Sequence, residues 1–119
     1  MKIAITAQGP ETTASLDERF GRARYFHMQD IATGEASTIE NSDGANAAHG
    51  AGTQAAQILA RHGVQAVVTG HVGPKAWSAL QASGIRVYTT AGGSVAQAAE
   101  AFRAGRLPEL TQADGSAQR

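Results

Sequence analysis

Hydrophobic and polar positions along the chain follow two different periods. Segments rich in alternating apolar and β-branched residues predict five strands, at residues 2–7, 24–30, 35–40, 64–69 and 85–89. Segments that repeat small and apolar residues at helical spacing predict three helices, at residues 53–61, 75–82 and 95–103. Ser94 is the expected N-cap of the last helix. Residues 15–20 also predict one helical turn, which ends at Gly21.

The order of these elements predicts an α/β fold. A hairpin of two strands precedes alternating helices and strands, and right-handed crossovers place those later strands in a parallel arrangement. The simplest solution is a mixed five-stranded sheet with helices on both faces. We expect a single domain over residues 1–108. Residues 109–119 contain few apolar positions and no periodicity, and they predict a flexible C-terminal tail.

Charge and composition argue against several classes of function. Lys and Arg together number 10, as do Asp and Glu, and this balance argues against nucleic-acid binding by bulk electrostatics. The chain has no cysteine, so it cannot form a thiolate zinc site or a cysteine-ligated iron–sulfur centre. The sequence contains neither a signal-peptide pattern nor an apolar run of transmembrane length. We therefore expect a cytoplasmic protein that binds neither membranes nor nucleic acid.

Glycine-rich loops follow the predicted strands that belong to the parallel part of the sheet. Ligands of open α/β sheets bind beyond the carboxyl ends of such strands. The loops at residues 8–12, 70–74 and 90–93 meet this condition, and the last two lead into helix N-termini, which favour anions. Each loop alone is equally explained as a tight turn that needs glycine. Together they predict an anion-binding site at this edge.

Histidines and arginines are the other candidates for binding. His71 lies at the predicted ligand edge, and His49 lies in a loop rich in Gly and Asn. Either could ligate a metal or donate to an anion, although a lone loop histidine is commonly just solvated. Arg19, Arg22 and Arg24 surround Gly21, where they form either a solvated charged face or a positive rim for an anion. No catalytic triad, carboxylate pair or nucleotide-binding motif can be assigned, so we expect no enzyme activity.

Five short motifs, in order along the chain, resemble those of a known family. They are Phe20-Gly21-Arg22-Ala23 with Phe26, Gly50-Ala51-Gly52 with Ala55-Ala56, Thr69-Gly70 with Gly73-Pro74 and Ala76, Gly84-Ile85 with Val87-Tyr88, and Phe102 with Gly105 and Leu107. This order is similar to that of the NifX, NafY and NifB C-terminal family of dinitrogenase iron–molybdenum cofactor biosynthesis. The resemblance implies a ribonuclease H-like fold and a non-catalytic protein that binds or carries metal–sulfur clusters.

The resemblance also implies the ligand. Within the family, the chain looks most like a small member that holds a molybdenum–copper sulfide cluster without covalent attachment, so the resemblance implies such a cluster. An iron–molybdenum–sulfur cofactor or its precursor is the alternative. Soft metals bind sulfur, so without cysteine the cluster must bring its own sulfide. His49 and His71 are the candidates for direct metal ligation. The expected binding residues are Arg22, Arg24, His49, Gly70, His71, Val72, Gly73, Pro74, Lys75, Ala91, Gly92, Gly93 and Ser94, with Trp77 as a further apolar contact.

Two other functions remain open from the sequence. The chain could be an interaction module without a ligand, which partners an ATPase or another cofactor-assembly protein. That hypothesis predicts a colourless protein with an exposed apolar patch. The chain could also be an enzyme that acts on a phosphorylated ligand, for which catalytic carboxylates or a metal site would be required.

Overall fold

The computed structural model describes residues 1–41 and 50–111 and contains every predicted strand and helix. The strands are β1 Lys2–Ala7, β2 Tyr25–Asp30, β3 Ala36–Glu40, β4 Ala66–Thr69 and β5 Arg86–Thr89. The helices are α1 Ala51–Arg61, α2 Pro74–Ala82 and α3 Val95–Arg103. Helix α3 has the predicted bounds, and α1 begins earlier than predicted, at Ala51 rather than residue 53. The predicted α/β architecture is confirmed.

The strands form one mixed sheet in the order β3-β2-β1-β4-β5. Strand β1 pairs antiparallel with β2 and parallel with β4, while β2–β3 is antiparallel and β4–β5 is parallel. Every residue of β4 is buried, as expected for a parallel strand covered on both faces. The mixed five-stranded sheet is therefore confirmed, and the ribonuclease H-like classification stays a prediction.

Helices cover both faces of this sheet. Helices α1 and α2 bury Leu59 and Leu80 in the same cluster as Phe26 and Val67. On the opposite face, the residues at the start and middle of α3 bury against alternate positions of β1 and β4. Because successive side chains of a strand point to opposite faces, β1 and β4 contribute to both clusters.

Residues 15–20 do not form the helical turn predicted from the sequence. Leu16 instead forms a bridge with Ala7, and its N–H donates to the Gly93 carbonyl at 2.9 Å. The Asp17 N–H donates to the Thr6 carbonyl, also at 2.9 Å. An extended backbone lets these N–H groups reach the ends of neighbouring elements, whereas a helical turn would direct them along its own axis.

The first residues of the predicted tail lie along β5. Leu110 is partly buried against the core, and its N–H donates to the Val87 carbonyl at 2.8 Å. Glu109 forms a bridge with Tyr88. Residues 112–119 lie outside the described residues, so the flexibility of the tail stays a prediction.

His27 is a buried titratable side chain in β2. It is 6% exposed, and its Nδ1 lies 3.3 Å from the Thr38 hydroxyl of β3. Burial lowers its pKa below the ordinary value because the charged imidazolium loses its hydration. The folded protein therefore holds this histidine neutral under conditions in which the unfolded chain accepts a proton.

This difference predicts a loss of stability in mild acid. Above about pH 6.5, His27 is neutral in both the folded and the unfolded chain, so it does not lower the free energy of unfolding. As the pH falls below that value, only the unfolded chain takes up the proton, so the free energy of unfolding decreases. We expect urea denaturation to show a shallower decrease for His27→Gln than for the wild type. Thr38→Val should keep the wild-type decrease because burial is the cause; identical pH profiles for the wild type and His27→Gln would contradict this account.

Candidate functional site

An open cavity of about 590 Å³ lies beyond the carboxyl end of β4. Three segments form its walls: the loop at residues 19–22, the start of α1 at residues 50–53, and the start of α2 at residues 73–76, together with His71. Its volume falls within the range of about 300–1,000 Å³ that is typical of small-ligand sites. The cavity lies at the sheet edge that the sequence predicted for a ligand.

The first wall is a loop anchored to the end of β4. The His71 N–H donates to the Glu18 carbonyl at 2.6 Å, and the Phe20 N–H donates to the His71 carbonyl at 3.2 Å. The Phe20 side chain is 2% exposed, and its ring centroid lies 6.1 Å from that of Phe26. From the other side, the Asn41 side-chain amide donates to the Ala23 carbonyl at 2.9 Å. These contacts hold the loop at the mouth of the cavity.

The other two walls are helix N-termini that lack side-chain caps. Gly50 is the N-cap of α1 and Gly73 that of α2, and neither helix has a side-chain capping bond. Within the described ranges, the N–H groups of residues 51–53, 75 and 76 have no hydrogen-bond acceptor. Such groups carry the partial positive charge of a helix N-terminus. Both helices therefore present donors to one cavity.

Among the described residues, the charged side chains that line the cavity are all basic. Arg19, Arg22 and Lys75 are lining residues, His71 lies among them, and no carboxylate of residues 1–41 or 50–111 lines the cavity. Two carboxylates outside the lining contact these side chains: Asp17 Oδ1 lies 3.5 Å from Arg19 Nε, and Glu18 Oε1 lies 3.9 Å from His71 Nε2. Charge and helix ends thus favour the same class of ligand, an anion.

Helix α3 also begins at this edge, but its N-terminal donors are already bonded. Ser94 and Gln97 form a capping box, in which the Gln97 N–H donates to the Ser94 hydroxyl at 3.1 Å. The Val95 N–H donates to the Ala14 carbonyl and the Ala96 N–H to the Thr12 carbonyl, both at 2.9 Å. The predicted N-cap role of Ser94 is therefore confirmed, and its hydroxyl already accepts a hydrogen bond within α3.

The loop after β5 is separated from the cavity by Glu18 and His71. The Glu18 carboxylate accepts a hydrogen bond from the Gly92 N–H at 3.1 Å. Gly92 and Gly93 line a depression on the far side of these two residues, and Ala91 lines another. The structure does not bring these loop residues together with the basic cavity.

The remaining predicted residues are divided between the cavity and its surroundings. Of the β4–α2 loop, His71, Gly73, Pro74 and Lys75 line the cavity. Val72 is 1% exposed and belongs to the core. A side chain at Gly70 would meet the Glu18 backbone, with a Cβ 2.8 Å from its carbonyl oxygen, so this glycine permits a close approach.

The sequence-based list differs from the cavity at several other positions. Arg22 lines the cavity, whereas Arg24 is exposed just before β2 and does not. Trp77 lines a groove beside β5 instead. His49 lies outside the described residues. The list omitted Arg19 and the start of α1, although the Gly50-Ala51-Gly52 motif just ahead of a predicted helix was a usable signal.

The described residues offer no preformed metal centre. Residues 1–41 and 50–111 contain no group of three or more His, Asp or Glu side chains that could hold a metal ion, and the whole chain lacks cysteine. In the same ranges, no helix is long and apolar enough to cross a membrane.

Comparison with known proteins identifies the family. The family model for dinitrogenase iron–molybdenum cofactor proteins matches residues 1–105. The chain belongs to this family. The resemblance inferred from its five motifs is thereby confirmed.

Relatives in this family share both sequence and fold with the chain. The apo form of the orange protein from Desulfovibrio gigas is 44% identical over 93% of each chain, with a TM-score of 0.90. A NifB-like protein from Thermotoga is 37% identical over 93% of this chain and 94% of its own, with a TM-score of 0.84. An uncharacterized protein from Methanocaldococcus jannaschii is 36% identical over 113 residues, which is 92% of each chain.

The capping box of α3 predicts a specific loss of stability. Ser94→Ala removes the acceptor of the Gln97 N–H, so we expect the free energy of unfolding to fall by about 1 kcal/mol. Urea denaturation followed by circular dichroism measures this change. Ser83→Ala, at the exposed end of α2, is the matched control and should change stability by less than about 0.5 kcal/mol. Equal losses in the two variants would show that the Ser94 hydroxyl does not act as a cap.

Proposed function

We propose that this protein is a non-catalytic carrier that binds an anionic metal–sulfur cluster in the cavity between α1 and α2. One observation carries the proposal: two helix N-termini without side-chain caps open on a single cavity, and the described charged residues that line it, Arg19, Arg22 and Lys75, are basic. Membership in the dinitrogenase iron–molybdenum cofactor family supports the same class of ligand. Helix ends and cations together stabilise an anion without any covalent bond.

The chemistry of the lining suits a cluster that is already coordinated by sulfide. A cluster of this kind needs hydrogen-bond donors and cations for its outer sulfides, and apolar contact for its sides. The free N–H groups of α1 and α2 supply donors. Phe20, Ala51, Pro74 and Ala76 supply apolar contact, which excludes water and strengthens the electrostatic attraction.

A molybdenum–copper sulfide cluster is the ligand that we propose first. Its support is the 44% identity to the orange protein, together with the absence of cysteine in this chain. An iron–molybdenum–sulfur cofactor or its precursor is the alternative, and the family supports it. His71 lines the cavity and is the proposed side-chain contact to the cluster. A contact by His49 also stays a proposal, since that residue lies outside the described ranges.

The surface favours a ligand-binding role over a module that acts only through partners. Such a module would expose an apolar patch, yet among the described residues Met1 is the exposed large hydrophobic side chain. Transfer of the cluster to a cofactor-assembly protein in the cytoplasm completes the proposal. An ATPase partner stays a hypothesis, which no surface feature of the described residues favours. An enzyme that acts on a phosphorylated ligand is not favoured, because the part of the cavity lining that the structure describes contains no carboxylate.

The direct test is reconstitution of the purified protein. The protein is mixed with tetrathiomolybdate and copper, desalted, and examined by visible absorption and metal analysis. A coloured species that elutes with the protein and carries molybdenum and copper in a fixed ratio is the expected result. A colourless protein without either metal would contradict the molybdenum–copper proposal. Repeating the measurement with an iron–molybdenum–sulfur cofactor would then test the alternative.

Arg22 is predicted to contribute to binding through its charge. We expect Arg22→Ala to weaken the binding of tetrathiomolybdate about tenfold, because a hydrogen bond to a charged group is lost from a partly solvated site. Isothermal titration calorimetry measures the dissociation constants. Arg24→Ala should have a smaller effect because this residue does not line the cavity. Arg61→Ala, at the far end of α1, is the control, and equal constants for Arg22→Ala and Arg61→Ala would exclude a role for Arg22.

A further inference from the structure

The first turns of α1 and α2 are in direct contact at Gly52 and Ala76. A Cβ atom placed on Gly52 would lie 2.5 Å from the Cβ of Ala76. Optimal contact between carbon atoms is about 3.5–4.0 Å, so a methyl group at residue 52 would force the helices about 1 Å apart at this point. Ala76 is 7% exposed and belongs to the core that α1 and α2 share, so it has little room to move aside.

Gly52 is also in contact with the loop on its other side. A Cβ atom placed on Gly21 would lie 2.6 Å from the Gly52 nitrogen and 2.7 Å from its Cα. The three walls of the cavity therefore touch in series, with Gly52 between the loop and α2. Neither of these close contacts reflects an unusual backbone conformation, because Gly21 and Gly52 do not have positive φ angles. Glycine is required at residues 21 and 52 because there is no room for a Cβ atom.

We propose that the Gly52–Ala76 contact is a spacer, which sets the size of the anion that the N-termini of α1 and α2 bind together. This inference rests on the proposed function. Hydrogen-bond donors from two helices act on one anion only when their separation matches it, and functional groups of binding sites must be held within about 0.5 Å of the working geometry. A change of about 1 Å at residue 52 is large by this measure. The lack of a side chain at Gly52 thus determines which size of anion the two helices bind.

The test uses two tetrahedral anions that differ in size, molybdate and tetrathiomolybdate, the second of which has the longer bonds to molybdenum. Gly52→Ala widens the gap, so we expect molybdate binding to weaken about tenfold and tetrathiomolybdate binding to weaken less. Ala76→Gly narrows the gap and should shift the ratio of the two dissociation constants in the opposite direction. Gly52→Ala combined with Ala76→Gly moves the methyl group across the contact and should restore the wild-type ratio.

Controls separate the effect of spacing from a general loss of structure. Ala82→Gly places a glycine at the exposed end of the same helix and should leave the ratio unchanged. Circular dichroism and thermal unfolding establish that each variant is folded. If Gly52→Ala does not fold, Ala76→Gly and the double variant still test the direction of the shift.

A ligand-free measurement distinguishes failure of this inference from failure of the proposed function. Crystal structures of the wild type and of Gly52→Ala should differ by about 1 Å in the separation of the residue 52 and 76 Cα atoms. An unchanged separation overturns the spacer, whatever the protein binds. If the wild type binds both anions and the ratio is the same in Gly52→Ala, the inference alone is wrong. If the wild type binds neither anion, the specificity assigned to the spacer and the molybdenum–copper proposal are both contradicted, and the separation of the Cα atoms alone then decides whether Gly52 sets the helix spacing.

Discussion

The backbone pairing between residues 18–20 and His71 is the interaction on which the site depends. It consists of one hydrogen bond in each direction, from the His71 N–H to Glu18 and from the Phe20 N–H to His71. Below it, the buried Thr6 hydroxyl donates to the Asp17 carbonyl at 2.5 Å and lies 2.8 Å from the Thr69 hydroxyl. The loop is thereby fixed to the ends of β1 and β4 together. This pairing thus fixes the basic side chains of the loop relative to the start of α2.

All three helices begin at this edge with backbone N–H groups that have no acceptor within the helix, and they differ in which other groups accept those hydrogen bonds. In α3, a Ser94–Gln97 capping box and carbonyls of the 12–14 turn accept the first N–H groups. In α1 and α2, glycine at the N-cap provides no side-chain acceptor. Unsatisfied donors at a helix end need a partner, and a ligand can serve as that partner. The residue at each N-cap thus determines whether the first N–H groups of the helix are bonded within the protein or remain able to bind a ligand.

Local sequence patterns predicted most of the fold, because each element is specified by its own residues. The apolar run at Ala66, Val67 and Val68 and the cap at Ser94 are examples, since a strand pattern and a capping box are each formed by residues close in sequence. The failed prediction of a helical turn at residues 15–20 has the opposite origin. There, hydrogen bonds to Thr6 and Gly93 outweigh the local preference, and no periodicity within the segment could indicate them.

The sequence predicted only part of the candidate cavity, because some of its contacts join residues that are far apart along the chain. The sequence predicts the β4–α2 loop at the carboxyl edge of the parallel strands, and residues of this loop line the candidate cavity there. The β5–α3 loop was grouped with it, but its Gly92 N–H is bonded to Glu18, which lies 74 residues earlier in the chain. A contact over that separation leaves no trace in local composition. The start of α1 was overlooked because it follows an antiparallel strand rather than a parallel one.

The absence of cysteine bears on how a carrier of this kind would release its ligand. A thiolate bond to a soft metal makes release depend on ligand exchange. Hydrogen bonds from α1 and α2 and charges from Arg19 and Arg22 are individually modest, and solvent or a competing surface can replace them one at a time. Affinity then comes from the fixed geometry of many contacts rather than from one strong bond. A site built in this way would depend on the spacing of its walls as well as on its charged side chains.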